Sequence, residues 1–240
     1  VDQTGAEVDN PRIVRNCFHG ISGHAPAKGL KQDQGIDRMT DEKRHAPATL
    51  RNRQPLLEAL RPHLPNTGLL LEIASGSGEH AVFLAENLPG LVWQPSDRDA
   101  DALSSIRAWM GDAALPNIQP PLLLDAGDPR TWPDLRPDAI LCVNMIHIAP
   151  WSATLGLFAG AASLLRPGAP LCLYGPYKRA GQHTAESNAA FDADLRARDP
   201  AWGVRDLEAV AEVAVGHGFA PPVIVEMPAN NLTVIFRKAQ

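Results

Sequence analysis

Apolar and polar positions fall into two alternating rhythms over most of this chain. Short apolar runs recur along it, and between them apolar residues return at helical spacing. Leu69–Ala74, Leu91–Pro95, Pro121–Leu124, Ala139–Val143 and Pro170–Tyr174 read as strands. Glu79–Leu88, Asp99–Met110 and Ser152–Leu165 read as helices between them, the last closed by the stop signal Arg166-Pro167-Gly168. Asn188–Arg198 and Arg205–His217 are two further helices. Val223–Glu226 and Leu232–Phe236 are late strands joined by the turn-prone Pro228-Ala229-Asn230-Asn231.

Strands separated by helices of this length require a parallel sheet covered on both faces. The late pair, separated only by a turn, must run antiparallel. The expected fold is therefore α/β, a mostly parallel sheet with an antiparallel C-terminal edge. One more helix is expected ahead of the sheet, about Ala48–Leu60, with Leu56, Leu57 and Leu60 as its apolar stripe and a break near Pro55. Residues 1–38 hold no period and mix glycine, proline and scattered charge. They are expected to form a poorly ordered tail ahead of a domain spanning 39–240. Met39 is one candidate for the natural start; an ordinary tail is the alternative.

Length and composition narrow the class. The 240 residues suit one α/β domain, and 45% apolar with 20% charged residues is ordinary for a globular protein. The net charge of -5 comes without a basic block, so no electrostatic footprint for nucleic acid is present. No apolar run approaches the ~18 residues of a membrane span, and no basic start with an apolar stretch marks a secretory signal. Cys142 and Cys172 sit in apolar runs and read as core residues; Cys17 lies in the tail. The eight histidines show no ligand spacing. A cytoplasmic, metal-free protein acting on a small molecule is expected, without nucleic-acid or membrane partners, as monomer or homodimer.

The strongest local signal is Leu70-Leu71-Glu72-Ile73-Ala74-Ser75-Gly76-Ser77-Gly78-Glu79-His80, a strand, a small-residue turn and a helix start. In an open parallel sheet the ligand crevice lies beyond the carboxyl ends of strands, and glycines there let the backbone approach a ligand. A lone Gly-x-Gly is weak evidence. Two acids sharpen it: Asp97 ends the second strand, where a carboxylate can accept both ribose hydroxyls of an adenosine, and Asp125 ends the third, beside Ala126. A structural turn with two helix-capping acids is the plain alternative. A nicotinamide dinucleotide site wants a third glycine where Ala81 stands, and Glu79 sets a negative charge at the helix start. That charge suits a cationic sulfonium better than a diphosphate.

These residues resemble class I S-adenosylmethionine-dependent methyltransferases, with the glycine loop, Asp97, Asp125-Ala126 and Leu164-Leu165-Arg166-Pro167-Gly168 in the family's order. More narrowly, the chain resembles the methyltransferase-like group designated domain of unknown function 938. The stretches that carry this are Arg51-Asn52-Arg53-Gln54-Pro55, Glu72–Gly76, Trp93-Gln94-Pro95-Ser96-Asp97, Asn144–Trp151, Tyr174-Gly175-Pro176-Tyr177 and Met227–Asn231. The resemblance implies a Rossmann-like seven-stranded sheet of order 3-2-1-4-5-7-6 with strand seven antiparallel. It implies S-adenosyl-L-methionine as cofactor, held by Glu72, Ala74, Ser75, Gly76, Gly78, Asp97, Asp125, Ala126, Asn144 and Met145, with Arg51 and Asn52 as a lid over its carboxylate. A nicotinamide-linked oxidoreductase and a non-catalytic S-adenosylmethionine-binding partner protein are the rival readings.

In such a fold the end of strand four faces the transferred methyl group, which singles out Asn144 and His147. Asn144 can orient the cofactor or the acceptor. His147, near-neutral as a free side chain, is the candidate general base, with a packing role as its alternative. Tyr174, Tyr177, Lys178, His183, Trp151 and Trp202 are expected around the acceptor.

Overall fold

The computed structural model describes residues 43–240; the tail expected over 1–38, and Cys17 with it, lie outside the described residues. Four strands, β1 (Gly68–Ile73), β2 (Leu91–Asp97), β4 (Ala139–Val143) and β5 (Pro170–Pro176), form the parallel centre of a sheet, with β3 (Leu122–Leu123) short at one edge. At the other edge β9 (Asn231–Arg237) runs antiparallel to β5, and β8 (Val223–Met227) antiparallel to β9. The order is β3-β2-β1-β4-β5-β9-β8. Without the small hairpin β6 (Lys178–Arg179) and β7 (Gln182–His183), which stands apart from the sheet, this is the expected 3-2-1-4-5-7-6.

The central strands are apolar on both faces because both are covered. Helices α1 (Pro47–Leu60), α2 (Glu79–Asn87) and α3 (Ala100–Ala113) lie on one side, where Leu56, Leu60, Leu84 and Trp93 share a core with Leu70 and Leu141. On the other side α4 (Trp151–Leu164) and α6 (Leu207–Gly216) bury Phe158, Leu157 and Val210 against Leu71, Ile140 and Leu173. Helix α5 (Glu186–Arg198) packs beside the hairpin. Cys142 and Cys172 are buried free thiols, and burial raises both above the usual thiol range.

Two expectations are corrected. Helix α1 does not break at Pro55 but runs through it. The backbone carbonyl that proline deprives of its partner belongs to Arg51, which is exposed to water, and burial of Leu56, Leu57 and Leu60 holds the turn beyond it. The third strand shrinks to Leu122–Leu123, half-buried and exposed, because it sits at the sheet edge with β2 as its strand partner.

Candidate functional site

The carboxyl ends of β1, β2, β3 and β4 open into a cleft of about 420 Å³. At its centre is the loop after β1. Ala74, Gly76 and Gly78 all have positive φ, at 58°, 59° and 92°. Ala74 is an L-residue in a left-handed conformation, a strain held where the surrounding structure fixes it. The fixing bonds are identifiable: Ser75 N–H donates to Ser96 O at 2.8 Å, Gly76 N–H to Asp97 Oδ2 at 2.9 Å, and Ser105 Oγ to Ser77 O at 2.7 Å. The two glycines differ. A Cβ on Gly78 would lie 2.8 Å from Ile106 Cα, so this glycine lets α3 press against the loop. A Cβ on Gly76 would meet nothing within 4 Å; it faces open space in the cleft.

Asp97 is buried, and both carboxylate oxygens are engaged: Oδ2 by Gly76 N–H and Oδ1 by Asp99 N–H at 3.0 Å. A carboxylate has about four lone-pair positions, so two fixed N–H bonds leave acceptor capacity toward the cleft. Asp125 is more open; its Oδ1 accepts Gly127 N–H at 2.8 Å, and Arg98 lies 3.5 Å from Oδ2. Arg44 reaches Asp99 at 2.7 Å from the segment preceding α1. With Asp99 and Asp199, four acids against Arg98 border the cleft, a net negative rim.

Beyond β4 the chain turns sharply. Asn144 has φ 60° and begins a 3-10 turn, Met145–His147. With three residues per turn, successive side chains point about 120° apart. Met145 therefore lines the cleft with Ile148, Ala149 and Pro150, while Ile146 and His147 point into the core. His147 is fully buried, with its ring edge-on to Tyr177 at 5.0 Å. Its Nδ1 accepts the Arg205 N–H at 3.3 Å, so Nε2 carries the proton. Burial, reinforced by the Arg205 charge, pushes its pKa down to about 3.

Of the residues expected at the cofactor, Ala74, Gly76, Asp97, Asp125, Ala126 and Met145 line the cleft together. Ser75 is buried beneath the loop, Gly78 is turned to α3, and Asn144, Arg51 and Asn52 do not line it. Arg51 is exposed on α1. Asn52 instead pairs with His80, 2.8 Å away. Of the acceptor candidates only Trp202 reaches the cleft. Tyr177 is in the core, Lys178 and His183 pair with Asp192, and Trp151 lies under the Arg205 guanidinium. The sequence reading missed Arg98, Asp99, Asp199 and the apolar Ile148–Pro150. Asp99 had a readable signal, since it caps α3 by accepting Asp101 N–H.

Glu72 lies fully buried under the loop, where its Oε2 accepts Trp93 Nε1–H at 2.8 Å. Burial pushes its pKa from 4.5 up to about 7. The folded state thus keeps a proton that the unfolded chain loses: its full contribution is present below pH 4.5 and is lost as pH rises through about 7. Glu72→Gln keeps an acceptor for the indole. It is expected to stabilise the fold by on the order of 3 kcal/mol at pH 8 and to be near neutral at pH 4.5. Urea unfolding at the two pH values measures this; an equal effect at both contradicts it.

A sheet of this order with its crevice around a loop after the first strand is the architecture of class I methyltransferase-like proteins. The chain belongs to the family described as a protein of unknown function (DUF938), which it matches over residues 43–238. Among solved structures it is similar to an O-methyltransferase family protein from Burkholderia thailandensis (TM-score 0.69, 16% identity, covering 80% of this chain and 58% of that one). It is similar to a putative O-methyltransferase from Nostoc punctiforme (TM-score 0.70, 14% identity, 80% and 57%). A third is human N-acetylserotonin methyltransferase, solved in complex with SAM (TM-score 0.67, 12% identity, 80% and 53%). The chain thus spans little more than half the length of these neighbours. Among the described residues no helix is long and apolar enough to cross a membrane, and no group of three His, Cys, Asp or Glu residues is placed to hold a metal ion.

Proposed function

We propose that the cleft binds S-adenosylmethionine and that the protein transfers its methyl group to a small-molecule acceptor. The observation that carries this is the open face of Gly76 beside the spare acceptor capacity of buried Asp97. The ribose hydroxyls donate to Asp97, and adenine rests on Leu124, Ala126, Met145 and Ala153 with its amino group toward Asp125. The human neighbour was solved in complex with SAM, which supports this choice of cofactor.

Charge separates this reading from a dinucleotide. The acidic rim attracts a sulfonium and an ammonium and repels a diphosphate. The start of α2, where a dinucleotide fold receives its pyrophosphate, holds buried Glu79, whose Oε2 accepts Ala46 N–H at 2.6 Å.

S-adenosylmethionine supplies an electrophilic methyl carbon on a positively charged sulfur. The protein contributes alignment and exclusion of water. Asn144, which follows β4 and does not line the cleft, takes no direct part in this reading. No base role falls to His147, which is sealed from the cleft and whose pKa burial pushes far below neutral. The test is transfer of labelled methyl from S-adenosylmethionine across a panel of small-molecule acceptors. Label in a small-molecule product is expected. Cofactor binding without transfer to any acceptor favours a non-catalytic binding protein, and reduction of the panel with NADH favours an oxidoreductase.

A further inference from the structure

Asp199 and Trp202 are the two cleft residues that come from neither a strand end nor the start of α4. They belong to the turn between α5 and α6, and that turn is fastened to the exit of β4 by a set of polar bonds. Gly203 N–H donates to His147 O at 2.9 Å and Arg205 N–H to His147 Nδ1 at 3.3 Å. The Arg205 guanidinium donates from Nε to Ile146 O at 2.8 Å and from Nη2 to Ala149 O at 2.6 Å. From the other side Val204 N–H donates to Asp192 Oδ1 at 2.7 Å, and Lys178 and Arg196 hold that carboxylate at 3.1 and 3.2 Å. The approach is so close that a Cβ on Gly203 would lie 2.7 Å from Asp192 Oδ1.

These bonds join the apolar cleft wall of Met145, Ile148 and Ala149 to the turn that carries Trp202. Wall and indole are therefore one mechanical unit. Trp202 is half-buried and lines the cleft. An aromatic face opposite an apolar floor is what a flat purine requires, and base–aromatic stacking is sequence-tolerant and strong enough to read out by alanine substitution.

Building on the proposed cofactor, we propose that the 199–205 turn caps the bound nucleoside by stacking Trp202 on adenine, and that His147 is the positioning residue that sets the cap through Nδ1 and its carbonyl oxygen. The buried histidine thereby acquires a task that involves no proton transfer to substrate. Its single acceptor nitrogen is spent on a backbone N–H, and the Tyr177 ring and Gly175, where a Cβ would come within 2.5 Å of Nε2, fix the imidazole plane.

Titration with S-adenosylhomocysteine, followed by calorimetry and by tryptophan fluorescence, tests this on the full chain. The native protein is expected to show quenching on binding. Trp202→Ala is expected to weaken binding about tenfold or more, and Trp202→Phe to keep most of the affinity while losing most of the quench. His147→Asn places an amide oxygen near the position of Nδ1 and is expected to retain native affinity and quench. His147→Leu fills similar volume without an acceptor and is expected to behave like Trp202→Ala. Melting temperatures accompany each variant. Native affinity in Trp202→Ala, or equal behaviour of the Asn and Leu variants at position 147, overturns the cap while leaving the cofactor reading intact. An effect of Trp202→Ala on the acceptor KM alone moves Trp202 to the acceptor and overturns the cap equally. A native protein that binds no S-adenosylhomocysteine overturns the cofactor reading, and the cap falls with it.

Discussion

Gly78→Ala is expected to cost about 4 kcal/mol of folding stability, whereas Gly76→Ala costs about 1 kcal/mol and abolishes most cofactor binding instead. Both glycines have positive φ, yet their surroundings separate them. A methyl group on Gly78 would press on the backbone of α3 at Ile106, 2.8 Å away, and backbone cannot swing aside as a long side chain can. A methyl group on Gly76 meets no protein atom within 4 Å. Its φ of 59° is nearly that of Ala74, at 58°, so an alanine conformation there is already demonstrated two residues away. The methyl group would instead occupy the space assigned to the cofactor, and an intrusion of that kind corresponds to roughly a ten- to hundredfold loss of affinity. Urea unfolding together with calorimetric titration of S-adenosylhomocysteine checks the pair. Two variants alike in both stability and binding contradict the division of labour in the loop.

Asp97→Ala is expected to weaken S-adenosylhomocysteine binding on the order of a hundredfold, and Asp125→Ala about tenfold or less. Asp97 does two things. It fixes the loop through Gly76 N–H, and in the proposed complex it offers a charged acceptor to two ribose hydroxyls. Its removal also leaves two backbone N–H groups, those of Gly76 and Asp99, in search of partners, so a stability loss of about 1–3 kcal/mol accompanies the binding loss. Asp125 is partly exposed and shares its charge with Arg98 at 3.5 Å, so water and the neighbouring cation replace much of what it supplies. Equal binding by the native protein and Asp97→Ala removes the ribose assignment.

The parts of this architecture that were legible in the sequence are those whose cause is local. Apolar runs such as Leu69–Ala74 and Ala139–Val143 announce strands buried on both faces, and the turn at Pro228–Asn231 fixes an antiparallel edge. The meeting of Gly76 and Asp97 at one cleft was readable because a loop and an acid at consecutive strand ends follow directly from chain order. The hairpin of β6 and β7 was not readable. Its strands are polar, and it is held by long-range pairs, Lys178 to Asp192 and Arg179 to Glu208. Asp199 was invisible for a related reason: Arg205 draws its turn to the cleft by grasping backbone carbonyls, which every sequence offers equally. His147 left a base role and a packing role both open because the intrinsic pKa of imidazole is a property of the residue, whereas its direction is set by a 3-10 turn that a left-handed Asn144 begins. Pro55 misled because propensity counts a lost hydrogen bond and does not see the buried leucines beyond it.

The acidic cleft is proposed to take the adenosyl and ammonium groups that S-adenosylmethionine shares with S-adenosylhomocysteine. Isothermal titration of the native protein with S-adenosylhomocysteine and, separately, with NADH tests this most directly. Micromolar-range binding of S-adenosylhomocysteine and none of NADH is expected; binding of NADH with none of S-adenosylhomocysteine would contradict the proposed cofactor.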